Sequence, residues 1–416
     1  MAYSCQAVSA IAAYRALLRI VGPAYILVAF LGRIPLAMSQ LGVLVLVSSE
    51  LDSYGTGGAA AGILAIANAV GSPIAGALAD RIGQRPVVLV QSLVGAAGLA
   101  AVVLVTDPDA SRALIFTAAG VTGFAMPQVG PLARVRWRPI TRDAGDQRRL
   151  VDAAFSYEGA ADEASFVLGP ALIGVLAIIA APAGALLAAA VILAVFGSWF
   201  AVHWTSELVA KRSTTDGSGA GSEPLWSVAF AVLVLAQLCI GTIFGSVQTG
   251  TAVLARAEGH AGSAGLIHAV LGIGSVTAGL AITALPERIL YATRMLVAAV
   301  GLLLLSAPLL LVDSIPALVG VIALLGFAVA PYMISNFALA GILVPVHRVG
   351  TAMTLLAGAT GIGYALGASI AGRLADDGGH TPAFAVTVGA AGVAVLLAGV
   401  ANKALREARP YDPLAA

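Results

Sequence analysis

Charge is what this sequence lacks most: 10% of its 416 residues are Asp, Glu, Lys or Arg, while 59% are hydrophobic. Its mean hydropathy is +0.97. So little polar surface cannot cover a water-soluble globule of this length, which places the chain in a membrane. The net charge of +1 argues against nucleic acid as a partner. Cysteine is confined to Cys5, in the N-terminal tail, and Cys239, in an apolar run, which supports neither a disulfide framework nor a thiolate metal site. Lys211 and Lys403 are the lysines of the chain, and neither stands in a G-x-x-x-x-G-K-S/T phosphate loop, so nucleotide-driven transport is disfavoured. Five histidines are scattered, without an H-E-x-x-H pattern or a nucleophile elbow. No enzyme, no cofactor and no metal centre are expected.

What is present is a succession of apolar runs near the ~20 residues that carry a helix across a hydrocarbon core. Twelve can be drawn, at 20–48, 57–79, 87–105, 112–133, 153–179, 182–204, 225–254, 262–285, 292–312, 315–343, 350–371 and 383–401. With the N-terminus in the cytoplasm, the basic residues of the outer segments are Arg112, Arg256 and Arg373. Arg33 lies inside a span, and every other Lys and Arg falls on the cytoplasmic side. The bias follows the positive-inside rule. The inverse orientation would translocate the cluster Arg134, Arg136, Arg138, Arg142, Arg148 and Arg149, so both termini are expected to be cytoplasmic. Arg15 and Arg19 precede a full-length span rather than a short apolar region with a small-residue cleavage site, so the first helix is expected to be retained. A long polar interruption, 206–224, carries Lys211, Arg212 and a Ser/Thr/Gly run from Ser213 to Ser222, the composition of a flexible linker.

Between the second and third spans stands Gly76-Ala-Leu-Ala-Asp80-Arg81-Ile-Gly83-Gln-Arg85-Pro. It resembles the loop signature G-x-L-x-D-R-x-G-R/K-R/K of the major facilitator superfamily, at the place where that family carries it. The resemblance extends over nearly the whole chain. It implies an all-α polytopic membrane protein with twelve transmembrane helices in two six-helix halves, 1–205 and 225–416, each built of inverted three-helix repeats and joined by a cytoplasmic linker, 206–224. It also implies that this loop latches the halves together on the cytoplasmic side when the outside is open. Gly76 and Gly83 would permit close approach to the eleventh helix, and Asp80 would face the positive end of a neighbouring helix or pair with Arg81 or Arg85. An echo of the motif, Gly372-Arg373-Leu374-Ala-Asp376-Asp377-Gly378-Gly379, falls outside by topology and reads as a Gly-rich exit turn with solvated acids. Pro286-Glu287-Arg288 is a remnant of the partner loop.

Ionisable groups within spans are few and costly, from ~2.5 kcal/mol for a charge at a helix centre. Arg33 lies about thirteen residues, ~20 Å, into the first span, and Asp162 and Glu163 about ten residues, ~15 Å, into the fifth. Their depths allow an ion pair. Helical phase puts Glu158, Asp162, Ser165 and Gly169 on one face and Gly159, Glu163, Phe166 and Pro170 on another, so the two acids cannot both face Arg33. One is expected to neutralise Arg33; the other, near the interface between halves, would be poised to bind a proton as water is lost. The alternatives are a permanent structural pair, and capture of an anionic substrate by the five donors of Arg33.

Ser165-Phe-Val-Leu-Gly169-Pro170-Ala-Leu-Ile-Gly174, preceded by Gly159, is similar to the fifth-helix motif of the antiporter branch of this superfamily, with Val175 where a second closing glycine would stand. That branch places an arginine in the fourth helix, where this chain has Gly120-Val-Thr-Gly123-Phe-Ala-Met-Pro127-Gln128, with Arg112 at the outer end and Arg134 at the inner end. Pro127, Pro131, Pro170 and Pro331 favour kinks. The resemblance implies a pathway lined by the first, fourth, seventh and tenth helices, which makes Gln128, Gln237, Gln248, Tyr332 and Asn336 candidates for hydrogen bonds to substrate, with Tyr364 on the eleventh. His268 reads as a packing residue. The leading expectation is a secondary active transporter working by alternating access, a proton-coupled exporter of a small organic compound. The alternatives are a facilitative or symporting permease for an anionic metabolite and a non-transporting receptor on the same scaffold. Its expected partners are a small-molecule substrate, protons and the lipid bilayer, as a monomer in a bacterial cytoplasmic (inner) membrane.

Overall fold

The computed structural model describes residues 10–107, 109, 111–209, 225–260, 264–286 and 288–407, and no strand occurs among them. Their α-helices are α1 (Ala10–Glu50), α2 (Tyr54–Ile82), α3 (Gln84–Val105), α4 (Arg112–Ala125), α5 (Val129–Ile140), α6 (Gln147–Ile192), α7 (Ser198–Val202), α8 (Val228–Ala257), α9 (Ala264–Ala281), α10 (Tyr291–Ser306), α11 (Ile315–Leu343), α12 (Val349–Gly378) and α13 (His380–Glu407). The expected spans map onto them in order. α4 and α5 are two pieces of the fourth span, and α6 carries the fifth and the first part of the sixth across a break at Ala180 and Ala181; the sixth continues through a π-helical turn, Leu193–Gly197, into α7. Ala181 stands before Pro182, whose ring disfavours helical geometry in the preceding residue. Ten helical stretches among the described residues are long and apolar enough to cross a membrane; the fifth and sixth spans count there as one, Gln147–Val202, and the eighth is the shorter Ala269–Ala284. Most of the expected linker, residues 210–224, lies outside the described residues, as do Cys5, Glu287 and the side chains of His268, Asp376 and Asp377.

The fourth span departs from the sequence reading. Helix stops at Met126–Gln128, around Pro127, and resumes as α5, which runs on to Ile140. Arg134 and Arg136, expected in a cytoplasmic segment, are therefore helical and buried. Proline removes a backbone donor, and the carbonyls it strands need partners where water is scarce. Asn68 of α2 supplies them: its Nδ2 donates to the Gly123 oxygen at 3.1 Å and to the Met126 oxygen at 3.0 Å. Gln128 Nε2 in turn donates to Asn68 Oδ1 at 2.7 Å and to Ser72 Oγ at 3.0 Å. Asn68→Leu is expected to destabilise the protein by about 1–3 kcal/mol, the cost of orphaning buried acceptors, and to lower the melting temperature of the purified protein in detergent; an unchanged melting temperature would remove Asn68 from this role. Pro131 sits in the first turn of α5, where no helical bond is lost, and Pro170 and Pro331 lie within α6 and α11 without a break in helical dihedrals.

Large apolar side chains point outward, among them Leu104, Ile178, Val228 and Val400. Lipid tails are as apolar as they are, so helix association rests on close packing of small residues instead. The contact of α8 with α12 shows this. A Cβ at Gly241 would stand 2.1 Å from the Thr360 oxygen, one at Gly245 2.1 Å from the Tyr364 oxygen, and one at Gly363 2.0 Å from the Leu238 oxygen. The interior forms three clusters. Two are built from α1–α7, around Met38, Leu64 and Leu99 and around Tyr25, Trp137 and Phe200; the third is built mainly from α8–α13, around Phe230, Leu325 and Phe384.

Candidate functional site

The buried arginine of the first span is held by two acids of the fifth. Arg33 Nη2 lies 2.5 Å from Glu158 Oε2, and Nη1 lies 3.0 Å from Asp162 Oδ1. Arg33 Nε donates to the Ala29 oxygen at 3.0 Å, which fixes the direction of the guanidinium. Asp162 is shared: its Oδ2 lies 2.7 Å from Arg134 Nη1 of α5. Arg134 also stands 4.3 Å above the ring of Phe337 in α11, so the cluster reaches across to the C-terminal helices. Trp137 Nε1 donates to Glu158 Oε1 at 2.7 Å. Two guanidiniums thus meet two carboxylates, and only Asp162 keeps appreciable exposure, 17%. Gly130 makes room for it, since a Cβ there would stand 2.3 Å from Asp162 Oδ1.

The phase argument carries over to the geometry. Glu158 and Asp162, one turn apart, share the face that meets α1, while Glu163 is turned away, buried, near Ser275 of α9 and outside ion-pair distance of any described cation. Glu158 and Arg134 were not singled out from the sequence. Glu158 was legible, because it precedes Asp162 by four residues on the same face. Arg134 was hidden by its position after the last apolar residue of the fourth run. A third arginine, Arg136, is buried with no acid at bonding distance among the described residues: it donates to Gln84 Oε1 at 2.8 Å, to the Phe200 oxygen at 2.9 Å and to Thr205 Oγ1 at 3.0 Å, and lies 3.6 Å above the Phe200 ring.

The polar candidates fall in different places. Gln128 is committed to Asn68 and Ser72, as above. Gln237 and Asn336 bond to each other between α8 and α11, Asn336 Nδ2 donating to Gln237 Oε1 at 2.7 Å, and Tyr332 donates to the Ala236 oxygen at 3.2 Å; all three are fully buried. Gln248 is exposed and accepts the Tyr364 hydroxyl. With Thr249, Ala252, Val253 and Arg256 these two line a cavity of about 360 Å³ between α8 and α12. Gly169 packs on α1, where a Cβ would stand 2.6 Å from that of Ala37, Pro170 follows it in α6, and Gly174 faces open space.

The face that carries Arg81, Arg85 and Arg142, termed here the basic face, is closed by contacts between the N-terminal and C-terminal helices. Asp80, at the end of α2, accepts from the backbone N–H of Gly350 at 3.0 Å and of Thr351 at 2.7 Å, and from the Thr351 hydroxyl at 2.6 Å. These are the free donors of the first turn of α12, where the helix dipole also favours an anion. Gly76, one turn earlier, allows the approach: a Cβ there would stand 2.1 Å from Thr354 Oγ1 and 2.8 Å from the Gly350 oxygen. Arg81 and Arg85 do not pair with Asp80; Arg81 is exposed, and Arg85 meets Glu207 at the surface at 2.8 Å. Gly83, at φ 96°, makes the turn from α2 to α3 rather than a contact with α12. Asp152 of α6 adds a second clasp, accepting the Tyr291 hydroxyl and lying 3.6 Å from Arg294 Nη1 of α10. Tyr14 makes a third, donating to the Leu280 oxygen at 2.9 Å and lying 2.7 Å from Thr283 Oγ1.

The family model described as Major Facilitator Superfamily matches residues 24–315 and 259–413. A search of curated proteins finds no match. Solved structures of the same fold include the human organic anion transporter MFSD10 (TETRAN), 19% identical with a TM-score of 0.69 over 91% of this chain and 99% of that one. A bacterial homologue of the iron transporter ferroportin, in an outward-facing state with soaked iron, is 15% identical with a TM-score of 0.67 over 92% and 98%. The nucleoside transporter NupG is 17% identical with a TM-score of 0.58 over 92% and 98%. At these identities the likeness shows the fold, and the match over nearly the whole sequence shows the family: the chain belongs to the Major Facilitator Superfamily of membrane transporters.

Proposed function

We propose that the protein is a proton-coupled secondary transporter that works by alternating access and exports a small organic compound, with its basic face in the cytoplasm of a bacterium. The observation that carries the reading is Asp162 shared between Arg33 and Arg134. A carboxylate clamped by two guanidiniums is released when a proton neutralises it or when an anionic group of the substrate takes one arginine, so proton binding and substrate binding are linked through Asp162. Arg33 keeps Glu158 when Asp162 leaves, whereas Arg134 loses its one acid. Glu163 of α6, buried against α9 and outside ion-pair distance of any described cation, is the second candidate to carry a proton. Two helix bundles, 1–205 and 225–416, would rock about this cluster, with Asp80, Asp152 and Tyr14 holding the cytoplasmic side shut in the present conformation. A relative of similar fold is outward-facing and another transports organic anions, which fits both the closed basic face and the arginine-rich site.

The test is reconstitution in vesicles that enclose a pH-sensitive dye, with an imposed proton gradient and a screen of anionic, neutral and cationic metabolites. Proton flux that requires both a substrate and Arg33, and is lost in Arg33→Ala, is the expected result. Substrate transport with no proton movement would overturn the coupling and favour a facilitative permease.

A further inference from the structure

α1 is two helices in one. Gly22 has φ 75° and ψ 160°, outside helical geometry and in a region that side chains with a Cβ avoid, and Pro23 follows it. The break detaches residues 10–21 from the first span as a short helix on the basic face. Ala13, Leu17 and Val21 are buried in the cluster around Trp137, and Tyr14 reaches the far side of the closure, at Leu280 and Thr283. The opposite face of the same helix carries Ile11, 62% exposed, Leu18, 44% exposed, and the exposed Arg15 and Arg19. Neither arginine has a hydrogen bond or ion pair among the described residues.

Exposed apolar and cationic side chains on one face, immediately before a membrane span, make an interfacial helix: the apolar groups enter the headgroup boundary and the arginines meet lipid phosphates. Because the buried face of this helix is tied to α9 through Tyr14, its seating on the membrane and closure of the basic face are one event. We propose that residues 10–21 are a strap that binds anionic phospholipid of the adjoining leaflet through Arg15 and Arg19 and thereby favours the conformation closed at the basic face. The proposal rests on alternating access, since a strap has a role only if that face also opens.

The experiment measures spin-label distances between Ile82→Cys and Leu290→Cys, both partly exposed positions beside the closure on opposite sides of it, in a chain whose Cys5 and Cys239 are serine. The protein is reconstituted in phosphatidylcholine vesicles with and without phosphatidylglycerol. Phosphatidylglycerol is expected to raise the ratio of short to long distances at least about threefold, a modest coupling on the usual scale. Arg15→Gln combined with Arg19→Gln should abolish that response, and Tyr14→Phe should lower the ratio in both lipids. Two distances whose ratio ignores phosphatidylglycerol and the arginines would overturn the lipid site while leaving alternating access in place. A single distance under every condition would overturn alternating access itself, and the strap with it.

Discussion

Asp162→Asn is expected to reduce substrate-coupled proton flux about 100-fold and to destabilise the protein. The amide still fits beside Gly130, but Arg134 loses its partner at a position that is 1% exposed. Removing one member of a buried charge cluster costs about 3–5 kcal/mol, most of it the penalty of the charge left behind. Arg33 keeps Glu158 at 2.5 Å and should suffer less, so the damage is expected to centre on α5 and the Phe337 contact. Asp162→Glu separates chemistry from folding: it restores the charge at a displaced position and should recover stability before it recovers transport. Glu163→Gln removes the second candidate proton carrier without touching an arginine. Proton-driven transport that survives unchanged in both Asp162→Asn and Glu163→Gln would remove the fifth helix from the coupling.

Gly76→Val has the second largest expected effect. A Cβ at Gly76 meets the side chain of Thr354 and the backbone oxygen of Gly350, and backbone cannot move aside as a side chain can. With α2 and α12 held apart, Asp80 no longer reaches the N–H groups of Gly350 and Thr351, and the closed basic face loses its central contact. Transport is expected to fall about 10- to 100-fold, equivalent to ~1.4–2.8 kcal/mol against closure, with the protein still folded and membrane-inserted. The milder Gly76→Ala combined with Thr354→Ala should recover part of the rate, because the 2.1 Å obstacle is removed while the 2.8 Å approach to the Gly350 oxygen remains. Full activity in Gly76→Val would show that the closed contact is not visited during transport.

Much of this was legible in the residues, and the exceptions have identifiable causes. Apolar runs placed the spans because lipid imposes a length that soluble folds do not. Depth and helical phase, two quantities that depend only on residue number once a helix is assumed, limited Arg33 to one of Asp162 and Glu163 without saying which. Arg134 was missed because a hydropathy boundary falls at the first charge, and a helix whose arginines find partners inside the protein runs past it. The same boundary hid Asp152 and Tyr14, which lie just outside the apolar runs and act at the closure. Gln237, Tyr332 and Asn336 sit on helices that were expected to face the pathway, but a polar group in an apolar helix can satisfy a neighbouring helix equally well, and sequence does not distinguish these cases.

The most direct measurement is hydrogen exchange by mass spectrometry on the reconstituted wild type and on Asp80→Asn, which weakens the anchor at the start of α12. Alternating access predicts opposite changes at the two faces: faster exchange in peptides covering Gly350 to Leu355 and the end of α9, and slower exchange around Gln40 to Asp52 and Ala252 to Ala257 as the far side closes. Faster exchange at both faces would mean that Asp80 merely stabilises the fold, and would contradict a transporter that opens one face by shutting the other.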